Sequence, residues 1–149
     1  MDPYIDLVQT LFYYARAQFK DLKTFFFHNT IYDVLWEDPP RRTKPFAVAE
    51  LVRLDPETRF ILVGDASMAP YELMATDGSI HIEERSGRPS YERLQFVAKT
   101  FPHSVWINPR LAEEWSYTRT IHAIREIFPM FELTLDGLEK SVAQLMRKN

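Results

Sequence analysis

The chain has 149 residues, of which 46% are hydrophobic and 26% charged, so it is long enough to bury a core as one folded domain over residues 1–149. Its 18 basic and 21 acidic residues give a net charge of -3. The chain therefore lacks the excess of basic residues that is typical of proteins that bind nucleic acids or anionic membranes. The absence of cysteine excludes disulfides, zinc–thiolate sites and a cysteine nucleophile. The sequence has no signal-peptide pattern and no apolar run of bilayer length, and we expect a cytoplasmic protein without a membrane span.

The first half of the chain predicts a helix, an antiparallel pair of strands and a second helix. Asp2 fits an N-cap and Pro3 the first helical position, and apolar residues then recur along one helical face. Two aromatic-rich runs follow with only Asn29 and Thr30 between them, so their strands must be antiparallel. The predicted elements are a helix at 3–20, strands at 24–28 and 31–36, a loop at 37–44 and a helix at 45–54.

The second half alternates strands with helices, which is the pattern of an α/β protein. Ser90 and Thr134 fit the N-caps of two of these helices, and Pro102 ends the first of them. The predicted fold is therefore a doubly wound, mostly parallel sheet with an antiparallel edge hairpin. The predicted elements are strands at 60–63, 104–107 and 130–133, helices at 90–101, 118–128 and 135–147, and a helical turn at 111–115.

A carboxylate and a hydroxyl follow the predicted strand at 60–63. That strand is an apolar run closed by Gly64, and Asp65 and Ser67 come directly after it. In open α/β sheets, ligands bind beyond the carboxyl ends of the strands, so this pair could face a cation or a substrate. An ordinary loop is the alternative, because Asp and Ser after Gly are also common turn residues.

The histidines and tryptophans of the chain predict structural roles. His28 fits a metal ligand or a proton carrier, but a core or turn histidine is the favoured interpretation. The other histidines are dispersed and lack metal-site spacing, and Ser67 lacks the G-x-S-x-G pattern of a nucleophile elbow. The tryptophans predict core or rim packing. The residues interpreted in this way are His81, His103, His122, Trp36, Trp106 and Trp115.

Four segments together resemble the C-terminal von Willebrand factor A domain of the CoxE-like family, bacterial proteins often encoded beside MoxR-type AAA+ ATPases. This resemblance extends over essentially the whole chain and implies a Rossmann-like, doubly wound fold. The segments are FFFHNTIYDVLWED (residues 25–38), RFILVGDASMAPYEL (59–73), SVWINP (104–109) with Trp115 beyond it, and PMFELTLDGLEKSV (129–142).

The resemblance implies a metal-ion-dependent adhesion site built from three loops. Asp65 matches the Asp of the third loop, and Thr43 matches the Thr of the second by its order in the chain. The first loop of the family carries a D-x-G-G-S motif just before Met-Asp-Pro, which corresponds to residues 1–3 here. The resemblance thus implies that the first central strand and its motif are missing from this sequence. Ser67 would be a hydroxyl or water-mediated ligand, and Tyr71 and Glu72 would form a partner-binding rim.

Two consequences follow from a missing strand. Mg²⁺ requires nearly octahedral oxygen ligation, so we expect the complete domain to bind Mg²⁺ and this chain alone to bind it weakly or not at all. The edges on either side of the missing strand are left unpaired and hydrophobic. Either the two halves close onto each other, or a neighbouring chain or second copy supplies a strand.

The predicted function is a metal-dependent protein-binding module and not an enzyme. The resemblance implies that it acts with a MoxR-type AAA+ ATPase, as a chaperone-like factor, on a client protein in the assembly or maturation of a metalloenzyme or other complex. The alternative is a small Mg-dependent α/β hydrolase or phosphotransferase that uses Asp65, although the sequence has no phosphate-binding glycine loop and no positioned base. A folded fragment that has lost its function is a third possibility.

Overall fold

The computed structural model describes residues 13, 16–17, 22–27, 31, 34–37, 41–67, 73–74 and 89–147. Within these ranges the chain forms strands, α-helices and short 3-10 helices in a mixed α/β order. The elements are β1 (Val34–Trp36), β2 (Pro45–Ala47), a 3-10 helix (Val48–Arg53), β3 (Phe60–Val63), α1 (Ser90–Thr100), β4 (Ser104–Asn108), a second 3-10 helix (Ala112–Tyr117), α2 (Arg119–Arg125), β5 (Met130–Glu132) and α3 (Leu135–Leu145).

The predicted parallel sheet is confirmed for three strands. They lie in the order β3-β4-β5, and both neighbouring pairs are parallel. Leu62 pairs with Trp106 in the first ladder, and Ile107 pairs with Phe131 in the second. Parallel neighbours require a crossover connection, and α1 and α2 lie in the two connections. All five residues of β4 are buried, as expected for the central strand.

Helices cover both faces of this sheet. Successive side chains of a strand point to opposite faces, so Trp106 lies on one face and its neighbours on the other. The Trp106 face packs against α1 and α2, and the opposite face packs against α3. The buried helical residues are Leu94, Val97, Ile121 and Ile124 on the first face and Leu138 and Leu145 on the second.

The predicted hairpin is confirmed in its antiparallel pairing but not in its place, because its described strand lies in a sheet separate from the parallel one. An antiparallel bridge joins Phe26 to Trp36 in the predicted sense, but the ladder of β1 runs to β2, antiparallel, in a separate two-stranded sheet. Residues 45–47, predicted as the start of a helix, are therefore a strand. Its first residue is Pro45, a position at which a strand tolerates the missing N–H. The ring of Phe46 packs 4.8 Å from that of Phe25, a contact that local propensity cannot anticipate.

The predicted caps have different outcomes. Thr134 is confirmed as an N-cap, because its Oγ1 accepts a hydrogen bond from Gly137 N at 3.0 Å. Ser90 is not a cap: Pro89 occupies that position, and Ser90 Oγ instead donates to the carbonyl oxygen of buried Ile31. The helices predicted at 118–128 and 135–147 end earlier, at 125 and 145, and the turn at 111–115 is the second 3-10 helix.

Parts of the predicted first helix and the loop before α1 lie outside the described residues. Of residues 3–20, Tyr13, Arg16 and Ala17 are described, and all three are helical and exposed. The Asn29–Thr30 turn lies outside the described ranges. Within the described residues, no helix combines the length and apolar character that crossing a membrane requires.

Candidate functional site

The carboxyl end of β3 is held firmly against β4. Gly64 N donates to Ile107 O at 3.1 Å, which extends the parallel ladder by one residue beyond β3. The indole Nε1 of fully buried Trp106 donates to Gly64 O at 2.8 Å. A Cβ at Gly64 would lie 3.3 Å from the Trp106 ring and 3.6 Å from the Phe27 ring, so glycine permits this close packing. Asp65 therefore directly follows a backbone that is fixed in position. It lies at the end of β3, as the sequence predicts.

Asp65 and Ser67 form a compact hydrogen-bonded turn, which we call the Asp65 turn. Asp65 Oδ1 accepts from Ser67 N at 3.1 Å and from Ser67 Oγ at 2.7 Å, the arrangement of an Asx turn. Between them, Ala66 is completely buried and has a φ of 54°. Residues that carry a side chain rarely adopt this left-handed backbone conformation. The packing around Ala66 must therefore hold its backbone there. Both polar side chains are exposed, so the turn presents them to solvent.

Asn108 supports this turn from the next strand. It is fully buried at the end of β4, and its Nδ2 donates to Asp65 O at 3.2 Å. Its Oδ1 accepts from Arg110 N at 2.8 Å, and its main-chain oxygen accepts from Leu133 N at 2.9 Å. The side chain and the main chain of this one residue thus join the carboxyl ends of β3, β4 and β5. The sequence did not predict this role, although Asn108 directly follows a predicted strand, at the carboxyl end where ligand sites of α/β sheets lie.

The other predicted site residues are Thr43, Tyr71 and Glu72. Thr43 lies in the exposed bend before β2, a strand of the other sheet. Tyr71 and Glu72 lie outside the described residues. The structure brings two of the predicted metal ligands, Asp65 and Ser67, into direct hydrogen-bond contact.

A second acidic residue lies at the carboxyl ends of these strands and acts on a different neighbour. Glu132 ends β5 and pairs with Asn108 in the ladder. Its charge acts on Lys140: the pKa of Lys140 is raised above 10.5 chiefly by the hydrogen bond and attraction of Asp136, with a smaller contribution from Glu132. In the described ranges, His, Asp and Glu side chains form no group of three or more that could hold a metal ion.

The described histidines lie away from the Asp65 turn. His103 comes just before β4, at the amino ends of the parallel strands and not at their carboxyl ends. Its Nε2 lies 3.4 Å from Glu57 Oε2. His122 lies on α2, with its Nε2 3.2 Å from Ser116 O. His28 and His81 lie outside the described residues. Trp106 and Trp115 are buried and Trp36 is half-buried, as the packing interpretation predicts.

The Asp65 turn offers one carboxylate and one hydroxyl to a ligand. Asp65 Oδ1 is occupied by both hydrogen bonds of the turn, whereas no partner of Oδ2 is described in the resolved ranges. A single carboxylate oxygen beside a hydroxyl supplies a small part of the six oxygen ligands that Mg²⁺ requires. Comparison of the chain with protein-family models, with curated proteins and with solved structures finds no match.

Proposed function

We propose that this chain is a metal-dependent protein-binding module of the von Willebrand factor A type, and that the Asp65 turn is its contribution to the metal site. The observation that carries the proposal is the position of an exposed carboxylate–hydroxyl pair directly beyond a parallel strand, on a turn anchored by the buried Asn108 and Trp106. Such edges are the usual ligand sites of α/β sheets.

The separation into two sheets supports this proposal. A doubly wound A-domain has a central strand between its hairpin and the strand that carries Asp65. Here β1-β2 and β3-β4-β5 are separate sheets whose residues share one core cluster. A strand added beside β3 would end next to the Asp65 turn, because parallel strands place their carboxyl ends at the same edge of the sheet. It would bring further carboxylate or hydroxyl ligands to that turn.

The chemistry of the proposed site is recognition through a shared metal ligand. Asp65 Oδ2 and the lone pairs of the Ser67 hydroxyl would face Mg²⁺, with Thr43 as a further hydroxyl ligand and Tyr71 and Glu72 at the rim. A carboxylate of the protein partner would complete the coordination. With one carboxylate in place, the chain alone binds Mg²⁺ weakly or not at all.

The partners in this proposal follow from the resemblance alone. They are a MoxR-type AAA+ ATPase and a client protein, with the module acting in the cytoplasm as a chaperone-like factor in assembly or maturation. The enzyme alternative would use Asp65 with Mg²⁺ for hydrolysis or phosphoryl transfer. It requires a base near Asp65, and the described histidines lie at other places in the fold.

The test is calorimetric titration of Mg²⁺ and Mn²⁺ into the chain, alone and with a synthetic peptide that carries an apolar strand followed by D-x-G-G-S. We expect metal binding only with the peptide. Asp65→Ala should abolish it. Asp55→Ala is the matched control, because Asp55 is an exposed carboxylate that accepts from Glu57 N at 2.9 Å in a similar turn.

Two outcomes would contradict the proposal. The first is tight metal binding by the chain alone that persists in Asp65→Ala, since the ligands would then lie elsewhere. The second is nucleotide hydrolysis that Asp65→Ala abolishes and Asp55→Ala preserves, which would establish the enzyme alternative.

A further inference from the structure

The outer edge of β3 carries main-chain groups that do not pair with β4. Phe60 N donates to His103 O at 2.9 Å and Gly64 N donates to Ile107 O at 3.1 Å, so the even-numbered residues direct their main chain toward β4. Alternate residues of a strand point their N–H and C=O groups to opposite sides. Ile61 and Val63 therefore point these groups away from β4, and no described strand pairs with them.

This edge lacks the features that usually protect the edge of a sheet. Native edge strands are commonly interrupted by proline, a bulge or a charged side chain. The residues of β3 are Phe-Ile-Leu-Val, with none of these features. By contrast, β5 at the other edge ends in Glu132, and β2 begins with Pro45. The composition of β3 is that of a strand with neighbours on both sides.

The sequence around β3 is complementary to itself in an antiparallel pairing. If two copies meet about a two-fold axis through Leu62, Ile61 of each copy lies opposite Val63 of the other. Each such pair exchanges both of its main-chain hydrogen bonds. In the same register, Arg59 of each copy lies opposite Asp65 of the other. Residues directly opposite each other on one face interact, and opposite charges there are stabilising.

Both charged groups have hydrogen-bonding capacity left for this contact. Arg59 uses Nη1 for the main-chain oxygen of Glu57 and lies 3.7 Å from its carboxylate, its side chain is 23% exposed, and no hydrogen bond of its Nη2 is described. Asp65 uses Oδ1 for Ser67. A guanidinium has five donor hydrogens. The Asp65 carboxylate of the other copy, opposite Arg59, would accept hydrogen bonds from some of them.

We propose that two copies of this chain pair edge to edge through β3, antiparallel about Leu62, with reciprocal Arg59–Asp65 contacts at both ends of the pairing. The pairing joins two three-stranded sheets into one continuous six-stranded sheet. Half-buried Ile61 and Val63 of the two copies then extend the apolar layer beneath α3 across the dimer axis. The dimer needs no metal and no ATPase, but it occupies the edge of β3 beside which the proposed function places a further strand, so a second copy and that strand exclude each other at this edge.

The first test removes one outward N–H without touching the β3–β4 ladder. In sedimentation velocity over a concentration series with EDTA present, the wild-type chain should show a concentration-dependent monomer–dimer equilibrium. Val63→Pro should remain a monomer, since proline lacks the N–H that faces the second copy. Val63→Ala is the matched control and should still dimerise, because it keeps this N–H.

The second test exchanges the charges. Asp65→Arg places Arg opposite Arg59, and Arg59→Asp places Asp opposite Asp65, so each variant alone should raise the dimer dissociation constant about tenfold through two reversed cross-strand pairs. Mixing the two variants restores both attractive pairs and should yield a heterodimer. Asp55→Arg, with the same charge change in another exposed turn, should leave the dissociation constant unchanged.

The proposal is overturned by a wild-type chain that stays monomeric, by open-ended aggregates in place of a dimer, or by a dimer that Val63→Pro does not affect. A monomer that instead binds an extended apolar peptide along β3 also overturns it in favour of a foreign strand. If Arg59→Asp loses its native circular dichroism spectrum, Asp65→Arg and Val63→Pro still decide the question.

Discussion

At the scale of single residues, the buried amide of Asn108 links the described candidate site to the core. It is completely buried, and both ends of its amide are hydrogen bonded to main-chain groups in two different connections. Buried polar groups in native proteins are hydrogen bonded, so Asn108 must keep its partners. Those partner groups are therefore fixed in position together with Asn108. The position of Asp65 therefore depends on a residue 43 positions away in the sequence.

Replacing Asn108 with alanine should destabilise the protein. Asn108→Ala leaves Asp65 O and Arg110 N without these partners and opens a small cavity, so we expect a loss of about 1–3 kcal/mol in the free energy of unfolding. Urea unfolding followed by circular dichroism measures this change. Gln95→Ala, at an exposed polar site on α1, is the control and should change the free energy by less than about 0.5 kcal/mol. Equal effects of the two substitutions would contradict the supporting role of Asn108.

At the scale of elements, the contact between β5 and α3 has almost no free space. α3 begins directly after a short turn, and Thr134 caps it by accepting from Gly137 N. A Cβ built at Gly137 would lie 1.9 Å from Glu132 O and 2.8 Å from the attached carbon. Both atoms belong to the main chain of β5 and cannot rotate away. The glycine is therefore required by the close approach of helix and strand.

This contact reverses the usual effect of an alanine substitution in a helix. By helix propensity alone, Gly137→Ala should stabilise α3 by about 1 kcal/mol. Because the added methyl group overlaps the main chain of Glu132, we expect a net destabilisation of about 1–3 kcal/mol, measured as a lower urea midpoint. Glu139→Ala, at an exposed position two residues on, is the control and should have little effect. A stabilised Gly137→Ala variant would show that α3 does not approach β5 so closely.

At the scale of the whole molecule, one core cluster joins the two sheets. Ile31 and Leu35, from the region of the small sheet, belong to the same buried cluster as Leu62 and Trp106 of the parallel sheet. The ring of Phe27 also packs against that of Trp106, with centroids 6.4 Å apart. Among the described strands the two sheets share no ladder, so side-chain packing connects them there in place of main-chain hydrogen bonds.

The shared core predicts that both sheets unfold together. Leu35 is 2% exposed, so Leu35→Ala should cost about 2–5 kcal/mol and lower the urea midpoint of the whole chain. Amide cross-peaks of Trp36 and Trp106 in NMR spectra report the small and the parallel sheet, and we expect both to disappear at one common, lowered midpoint. Leu111→Ala, at an exposed leucine, is the control. If Leu35→Ala lowers the urea midpoint at which the Trp36 cross-peak disappears but not that of the Trp106 cross-peak, the small sheet unfolds separately.

By itself, the sequence determined the parallel strands, the cap of the last helix and the place of Asp65 and Ser67. These features depend on local signals: apolar runs of strand length, a threonine before a helical pattern, and a glycine that closes a strand. Each signal is complete within a few neighbouring residues, which is why it can be interpreted without the fold.

Only the tertiary structure decided the pairing of Pro45–Ala47 with Val34–Trp36, the role of Ser90 and the role of Asn108. A short segment such as 45–47 has little intrinsic preference, so the aromatic contact of Phe46 and the free edge of its partner strand set its conformation. Ser90 and Asn108 bond to groups 59 and 43 residues away. Such partners become neighbours only when the sheets and helices pack. The sequence shows which residues can donate a hydrogen bond, but not which acceptor will lie within reach.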